Sequence, residues 1–461
     1  MLLVVLISAN QCAAQTNSRK GQTDNGTTTS AKPNIVVFFI DDMGYADIGP
    51  FGADIDTPHL DRMAAEGMRM TNFCVSSAVC SASRSALLTG CLHRRIGISG
   101  ALGPNAKIGI NPNETTLAEL CKTVGYNTAC YGKWHLGHLT PFLPLNNGFD
   151  EFYGIPYSND MWPLHPANVA RLKKDPDAKP IYPPLPMYEG NEIVDADVSP
   201  QDQSRMTATF TQRGTEFIRR SVQEGKPFFL YMPHPMVHVP LYAGDAFQGK
   251  SGKGVFADVV MELDWSVGQI LQTLKSTNQD SNTLVVFTSD NGPWLSYGDH
   301  AGSSGGLREG KGTMFEGGYR EPTLFRWPGK IPAGKTSNVF ASTIDIFPTV
   351  AALIGATLPQ HEIDGKDIRS ILHGDENAVS PHKSFPCYYA GGQLQAVRDG
   401  RWKLHFPHGY RTLNGRPGGT GGQPVRYENK KIGMALYDLE NDRNETTNVI
   451  DDNSDVVARL K

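Results

Sequence analysis

Three features that would define other classes of protein are missing from this chain of 461 residues. It has no excess of basic residues, because its net charge is −4, and this argues against a nucleic-acid-binding protein. Beyond the amino terminus, no apolar run is long enough to span a bilayer. The positive residues that normally open a secretory signal are also absent. The remaining composition, 39% hydrophobic and 20% charged, is typical of a globular protein, and the length allows a large α/β core with a smaller unit.

The first 14 residues nevertheless resemble a signal peptide. Residues 2–7 form a short apolar core, and Cys12-Ala13-Ala14 is a candidate cleavage site. A polar linker, residues 15–32, follows. We therefore expect a secreted or periplasmic protein. A lipoprotein anchored through Cys12 is the alternative, although Asn10-Gln11 stand where small residues are expected.

Two buried strands are each followed by acidic and amide side chains. Residues 34–40 and 283–288 are apolar, β-branched runs typical of strands that are covered on both faces. The first is followed by Asp41-Asp42 and the second by Asp290-Asn291. Open α/β sheets bind ligands at the carboxyl edge of their strands, and a set of oxygen donors without a Cys/His cluster favours Ca²⁺ or Mg²⁺ over zinc. The alternative is a helix cap at Asp41-Asp42 and a turn at Asp290-Asn291.

Basic and histidine side chains follow further predicted strands. Lys133 and His135 lie in a predicted loop after the strand at 127–130, and His238 follows the strand at 228–232. Lysine supplies a fixed positive charge for an anion, and histidine exchanges protons near neutral pH. Lys311 lies in a glycine-rich segment whose glycines allow close backbone approach. Exposed loops also carry lysine and histidine by chance, so one such pair alone would be weak evidence for a site.

Residues 80–90 have the sequence CSASRSALLTG. This segment resembles the signature of the type I sulfatases, in which C-x-(P/A)-S-R is followed by T-G. GKWHLG at 132–137 and GKGTMFEGGYREP at 310–322 are similar to further motifs of that family. Within the family, these segments are most similar in sequence to the arylsulfatase A and N-acetylgalactosamine-6-sulfatase branch. Taken alone, the Cys80 segment would be interpreted as a buried thiol at the start of a helix spanning 81–88.

The resemblance implies that Cys80 is oxidised to Cα-formylglycine, whose hydrate attacks the sulfur of a sulfate ester. The implied partner for this modification is a formylglycine-generating or anaerobic sulfatase-maturating enzyme. Ala82 stands where many members have proline, which bears on how efficiently Cys80 is converted. The resemblance also implies one Ca²⁺ per chain, held by Asp41, Asp42, Asp290, Asn291 and the modified residue 80. The implied catalytic residues are Cys80, Arg84, Lys133, His135, His238 and Lys311, and the implied substrate-binding residues are Ser158, Lys133, His238 and Lys311.

The family also suggests individual roles. Asp290 would activate the hydrate, and His135 would take a proton from it when sulfate is eliminated. Arg84 would hold the hydrate and the carboxylates of the metal site. Either His238 or Lys311 would assist the departing alkoxide, and the resemblance does not choose between them. His234 is expected to be structural.

The implied fold is α/β and alkaline-phosphatase-like, with a large mixed sheet sandwiched by helices and a smaller C-terminal antiparallel sheet domain. We place the catalytic domain at 33–374 and a small α+β subdomain at 375–461, where 395–406 has the pattern of a hairpin with an Asp-Gly turn. The chain has seven cysteines; without Cys12 and the oxidised Cys80, an odd number of five remains, which argues against a full disulfide framework. Cys74 and Cys91 flank the Cys80 helix and could pair.

The sequence thus predicts a sulfatase whose substrate is a sulfated sugar or an aryl sulfate. One alternative is a phosphatase or phosphodiesterase of the alkaline phosphatase superfamily, and another is a non-catalytic relative that binds sulfated glycans. Two segments, 163–200 and 409–431, are candidates for determining specificity but carry no motif. The oligomeric state is undetermined.

Overall fold

Residues 32–461, which the computed structural model describes, contain eighteen β-strands and eleven α-helices. The strands are β1 Asn34–Ile40, β2 Met68–Met70, β3 Phe73–Cys74, β4 Asn127–Lys133, β5 Glu151–Ile155, β6 Met187–Glu189, β7 Glu192–Asp195, β8 Phe228–Met232, β9 Thr283–Ser289, β10 Thr323–Arg326, β11 Lys335–Ser337, β12 Ala341–Ser342, β13 Phe385–Tyr389, β14 Gln393–Arg398, β15 Trp402–His405, β16 His408–Thr412, β17 Glu428–Ile432 and β18 Ala435–Asp438. The helices are α1 Pro58–Ala65, α2 Cys80–Thr89, α3 His93–Ile96, α4 Leu117–Lys122, α5 Pro166–Lys174, α6 Pro200–Gln223, α7 Val255–Ser276, α8 Glu316–Tyr319, α9 Ile346–Ile354, α10 Arg369–Leu372 and α11 Ser454–Leu460.

The central sheet has ten strands in the order β11-β2-β10-β9-β1-β8-β4-β5-β6-β7. Its middle five strands, from β9 to β5, are parallel, whereas β10 and β6 pair antiparallel with their neighbours. This confirms the expected mixed sheet. Because the parallel strands run in one direction, the chain segments that follow them all emerge at one edge.

Helices cover both faces of this sheet. Alternate residues of β1 belong to two apolar cores: Val37 packs in the core that contains Leu87 of α2, and Phe38 packs in the core that contains Phe210 of α6. The first core also includes α4 and α9, and the second includes α1 and α7. A parallel strand with both faces covered must be apolar throughout, which explains the unbroken run at 34–40.

A second, four-stranded antiparallel sheet, β13-β14-β15-β18, lies in the C-terminal part and packs against α11. Buried ion pairs tie it to α8. Glu316 lies 3.1 Å from Arg398 of β14 and 3.0 Å from Lys403 of β15, with all three side chains inaccessible to solvent. The described residues form one compact unit, so the boundary at 374/375 stays a prediction within that unit.

The cysteines of the described part are not paired. All six, including Cys74 and Cys91, are buried free thiols, so a Cys74–Cys91 disulfide is not formed. No helix within residues 32–461 combines the length and the apolar character needed to cross a membrane. The predicted signal segment and most of the polar linker lie outside the described residues.

Candidate active site

Four predicted metal ligands meet where two parallel strands end. β1 pairs with β9 in a register that places Ile40 beside Ser289, so Asp41-Asp42 and Asp290-Asn291 leave the sheet side by side. The backbone N–H of Asp42 donates to Oδ1 of Asp290 over 3.2 Å, and Nδ2 of Asn291 donates to Oδ1 of Asp42 over 2.8 Å. The sheet register therefore brings residues 249 positions apart into direct contact.

Each of these four side chains has one buried oxygen that accepts no hydrogen bond from the described residues. The atoms are Oδ1 of Asp41, Oδ2 of Asp42, Oδ2 of Asp290 and Oδ1 of Asn291. Arg84 and His238 lie beside three of these oxygens without donating a hydrogen bond of good geometry, so all four remain candidates for a further ligand. Hard oxygen donors without solvent access suit Ca²⁺ or Mg²⁺, and the residues present fit such an ion.

Three cations face the three carboxylates of this site. Nη2 of Arg84 lies 2.7 Å from Oδ2 of Asp290, and Nζ of Lys311 lies 2.5 Å from Oδ1 of Asp42. Lys133 donates to Oδ2 of Asp41. The three positive side chains balance the three carboxylates, so together they have no excess positive charge with which to attract an anion. A divalent cation would provide that excess.

Neighbouring charges shift the pKa values of Asp41 and Asp290 in opposite directions. Burial opposes ionisation of Asp41, but nearby cations, led by Lys133, hold its pKa well below the usual range. Burial and the adjacent Asp41 carboxylate raise the pKa of Asp290. A cation between the two carboxyls would offset their mutual repulsion and lower the pKa of Asp290.

Residue 80 opens helix α2 beside this cluster. The helix runs from Cys80 to Thr89, and Gly90 follows it in the left-handed conformation, which confirms the predicted helix and its end. The Sγ atom of Cys80 lies 3.4 Å from Nζ of Lys311. Burial raises the pKa of the Cys80 thiol to about 12, despite the nearby Lys133 and Lys311. The unmodified thiol would therefore be protonated and a poor nucleophile at neutral pH.

Lys133 occupies the last position of β4, and not a loop beyond the strand as the sequence pattern predicted. Its Nζ atom also donates to Oγ of Ser158 over 3.1 Å. Strand β4 is parallel to β5, so the segment that follows β5 carries Ser158 to the same edge. The strand was predicted too short because Gly132 is an unfavourable strand residue, yet a side chain at that position would collide with Pro233 O.

His135 is buried next to Lys133. Its Nε2 atom lies 2.9 Å from the carbonyl oxygen of Leu102, and Nδ1 has no hydrogen-bond partner among residues 32–461. Burial, together with Lys133 and Arg84, holds the pKa of His135 well below its usual value. The neutral ring must donate from Nε2 to the carbonyl, so the lone pair is on Nδ1.

His238 reaches the cluster from the loop after β8. Nδ1 lies 2.6 Å from the carbonyl oxygen of Val239, which places the proton of the neutral ring on Nδ1, and Nε2 lies 3.6 Å from Oδ2 of Asp42. His234 points elsewhere: its ring stacks on Phe38 in the core, and Nε2 lies 3.2 Å from Oγ of Ser266. The structure thus brings all the predicted site residues to one edge of the sheet.

The sequence interpretation missed two residues of this site. The Trp294 ring lies 4.7 Å from Nζ of Lys311 and 5.5 Å from the His238 ring. Arg411, from β16, donates from Nε to the backbone oxygen of Lys311 over 2.9 Å. Trp294 could have been noticed, because it follows Asn291 by three residues. Arg411 lies in the candidate specificity segment 409–431, but no motif in that segment indicates Arg411 itself.

A pocket of about 230 Å³ adjoins the cluster. It is lined by Asp160, Trp162, Tyr242, Tyr297, His300 and the backbone of Gly421 and Gly422, among others. Tyr297 packs against Trp294 with ring centroids 5.0 Å apart, which connects the pocket to the charged site. Oδ1 of Asp160 is buried and has no hydrogen-bond partner among the described residues. Both segments that carry no motif, 163–200 and 409–431, contribute residues to this pocket.

The fold is α/β and alkaline-phosphatase-like, and a candidate metal-ligand cluster lies at the carboxyl edge of its mixed sheet. The model of the sulfatase family matches residues 33–356, and the model of the C-terminal region of N-sulphoglucosamine sulphohydrolase matches residues 309–409. The chain belongs to the sulfatase family.

Known relatives agree with this assignment. The chain is 37% identical to bovine (Bos taurus) arylsulfatase A over 447 residues, which is 92% of this chain and 85% of that protein. It is 39% identical to canine (Canis lupus familiaris) N-acetylgalactosamine-6-sulfatase over 391 residues, which is 81% of this chain and 72% of that protein. The solved structure of the PsFucS1 sulfatase from Pseudoalteromonas sp. superposes with a TM-score of 0.82 at 29% identity, covering 93% of this chain and 88% of that one. This protein is therefore a sulfatase of the branch that includes arylsulfatase A, and it hydrolyses sulfate esters.

Proposed function

We propose that this sulfatase uses a formylglycine made from Cys80, together with a bound Ca²⁺, to remove sulfate from a sulfated sugar. The single observation that carries the proposal is the position of residue 80. It opens a buried helix, 3.4 Å from Lys311, and its Sγ is within 4.8 Å of donor atoms of Asp41 and Asp42.

The nucleophile is the first part of the proposal. A buried thiol whose pKa is raised to about 12 is a weak nucleophile, whereas a hydrated aldehyde offers two hydroxyl groups. One hydroxyl can attack sulfur, and the other can release sulfate by elimination. The N-terminal N–H groups of α2 favour negative charge at residue 80.

The metal is the second part. Asp41, Asp42, Asp290 and Asn291 would hold Ca²⁺ through the four buried oxygens that accept no hydrogen bond, together with the modified residue 80. The ion would supply positive charge for the sulfate oxygens in a site whose own charges balance. Arg84 contacts both Asp41 and Asp290, so it would fix the spacing of these ligands.

Proton transfer is the third part. His135 is neutral with its lone pair on Nδ1, which suits a base that accepts a proton from residue 80. Lys133, Lys311 and Ser158 would bind the sulfate oxygens. His238 in its cationic form could donate from Nε2 to the departing alkoxide, and Lys311 could stabilise the same oxygen. The choice between His238 and Lys311 stays open.

The adjoining pocket favours a sugar over a simple aryl group. The partly exposed Tyr242 ring in this pocket can stack on the apolar face of a sugar ring. The free Oδ1 of Asp160 can accept a hydrogen bond from a hydroxyl, and its negative charge would repel a second sulfate. The canine relative bears the name of a sugar sulfatase, which supports the same substrate class. Small aryl sulfates would then be artificial substrates.

Three further proposals concern the protein outside its site. The signal-like segment 1–14 supports secretion or export to the periplasm. Modification of Cys80 requires a maturation enzyme, either a formylglycine-generating enzyme or its anaerobic counterpart. We also retain 33–374 as the catalytic domain and 375–461 as a subdomain whose β16 reaches the site through Arg411.

Mass spectrometry of the peptide that contains residue 80 tests this mechanism. Protein is produced with a formylglycine-generating enzyme, and its 4-nitrophenyl sulfate hydrolysis is measured alongside. We expect the mass of the aldehyde or its hydrate, and we expect Cys80→Ala to lower kcat/KM by about 10⁴-fold or more. Cys121→Ser, at a buried free thiol of helix α4, is the matched control and keeps full activity. An active enzyme that contains only unmodified cysteine would exclude the proposed nucleophile. Hydrolysis of 4-nitrophenyl phosphate in place of the sulfate ester would favour the phosphatase alternative.

A further inference from the structure

A second group of metal-ligating side chains lies beyond the carboxyl end of helix α2, away from the site at residue 80. Its members are Cys91, Glu114 and His361. The Sγ atom of Cys91 lies 3.6 Å from Oε2 of Glu114, and Nε2 of His361 lies 3.3 Å from the same oxygen. All three atoms are within 4.8 Å of one another, although they come from chain segments up to 270 residues apart.

These separations are those of ligands around one ion. At tetrahedral angles, ordinary zinc–ligand bond lengths place sulfur and oxygen ligands about 3.5 Å apart, and nitrogen and oxygen ligands about 3.4 Å apart. The two measured distances, 3.6 Å and 3.3 Å, agree with these values. The remaining sulfur–nitrogen distance is at most 4.8 Å, against about 3.6 Å in a zinc site. His361 is partly exposed, so we expect its ring to move towards Cys91 when an ion binds.

The three ligand atoms have few competing partners. Nε2 of His361 is buried but has no hydrogen bond of acceptable geometry within the described part of the chain. The Cys91 thiol is fully buried and makes only long contacts, 3.6 Å to Thr89 O and 3.8 Å to Glu362 O. Arg95, the nearest named cation, pairs instead with Asp364 and Glu362. Glu114 therefore remains available to an ion.

We propose that Cys91, Glu114 and His361 form a binding site for Zn²⁺ or a similar transition-metal ion, with a fourth position open to water. A thiolate and an imidazole favour a borderline-soft ion over Ca²⁺, so this site and the oxygen-rich cluster at residues 41 and 290 select different metals. The charges of a thiolate and a carboxylate match those of the ion, which suits a mostly buried position. Binding releases the thiol proton.

The location suggests what the metal does. Cys91 follows the end of α2, Glu114 precedes α4, and His361 lies in the loop between α9 and α10. An ion would therefore connect the helix that begins at residue 80 to two neighbouring segments. Because the ligands are apart in the unfolded chain, binding stabilises the folded state.

Cobalt spectroscopy tests this proposal in the full-length protein saturated with Ca²⁺. Co²⁺ bound to a thiolate shows a charge-transfer absorption in the near ultraviolet, and Zn²⁺ displaces it. We expect one equivalent of Co²⁺ to produce this band in the wild type and in Cys80→Ser. We expect Cys91→Ser to abolish the band, and His361→Gln to raise the dissociation constant of Zn²⁺ by about 100-fold or more, since even substitutions beyond the ligands cost 10 to 100-fold.

Folding and the catalytic site serve as separate controls. Both variants should retain the wild-type melting temperature without zinc and the wild-type rate with 4-nitrophenyl sulfate, because neither residue touches the catalytic cluster. His361 is partly exposed, so its substitution is tolerated even if Cys91→Ser is not. Absence of the band in the wild type would overturn the proposal. So would a band that survives Cys91→Ser but is lost in Cys80→Ser. Neither outcome depends on whether Cys80 becomes formylglycine.

Discussion

The Nη2 atom of Arg84 lies 2.7 Å from Oδ2 of Asp290, and neither side chain is accessible to solvent. The same nitrogen lies 3.5 Å from Oδ1 of Asp41, and Nη1 donates to the backbone oxygen of Lys133 over 3.1 Å. One guanidinium thus connects helix α2 with the ends of β1, β9 and β4. A planar side chain with five N–H donors can make these contacts together, whereas the single ammonium of lysine cannot.

Arg84→Met should therefore cost stability as well as activity. Removing the guanidinium leaves Asp290 and Asp41 without their shared cation, and breaking a buried pair in this way costs about 3–5 kcal/mol. Urea unfolding in the presence of Ca²⁺ measures the loss. Arg62→Met, at a partly exposed pair with Glu66, should change stability by less than about 1 kcal/mol. Equal unfolding midpoints for both variants would contradict the role given to Arg84.

Removal of calcium should lower the melting temperature, and Asn291→Ala should weaken the response. The substitution deletes the Asn291 Oδ1 atom, which accepts no hydrogen bond, and the hydrogen bond to Asp42. We expect the concentration of Ca²⁺ that half-restores the melting temperature after chelation to rise roughly 10- to 100-fold. Differential scanning calorimetry against added Ca²⁺ measures it, with the exposed Asn113→Ala as control. An unchanged calcium response would remove Asn291 from the ligand set.

Asp160→Asn should alter the choice of substrate. The change keeps the size of the side chain but removes the negative charge that faces the pocket. We expect kcat/KM for monosulfated neutral sugars to fall by about 10-fold relative to that for 4-nitrophenyl sulfate, since a hydrogen bond to a charged group is worth about 1.5–3 kcal/mol. Discrimination against disulfated sugars should fall as well. Parallel kinetics on both substrate types check this, and an equal change in all of them would exclude a sugar-binding role for the pocket.

Ionisation of Glu262 should lower the stability of the protein as the pH rises. Burial raises the pKa of its carboxyl from 4.5 to about 7, although the backbone N–H of Gly244 favours the ionised form. Because the folded state holds this proton more tightly, its contribution to stability is complete below pH 4.5 and is lost as the pH rises through about 7. The shift corresponds to roughly 3 kcal/mol.

Glu262→Gln removes the ionisation and should reduce this dependence. Urea unfolding at pH 5 and at pH 8 gives the difference for each protein, and we expect a smaller difference for the variant. Glu224→Gln, at an exposed carboxyl, is the matched control and should leave the difference unchanged. If wild type and Glu262→Gln lost equal stability between the two pH values, the carboxyl would be ionised throughout.

The local sequence was sufficient for the elements with strong, regular patterns. The apolar runs predicted β1, β8 and β9, and the small residues between Cys80 and Gly90 predicted α2 with its glycine end. These predictions succeeded because burial on both faces demands unbroken apolar strands, and glycine adopts the left-handed conformation without steric cost. The prediction that Lys133 lies in a loop was wrong, because Gly132 is unfavourable in a strand and β4 nevertheless continues through it to Lys133.

The amino-acid sequence by itself determined which side chains can do chemistry here: the acidic pairs after two strands, the Cys80 motif, and the lysines and histidines of further motifs. Only the tertiary structure decided their distances and partners, because contacts such as Asn291 to Asp42 depend on the sheet order and register. The same reason explains Arg411, which has no signal in its own segment and reaches Lys311 through the packing of β16. It also explains the group of Cys91, Glu114 and His361, which are neighbours in space and remote in sequence.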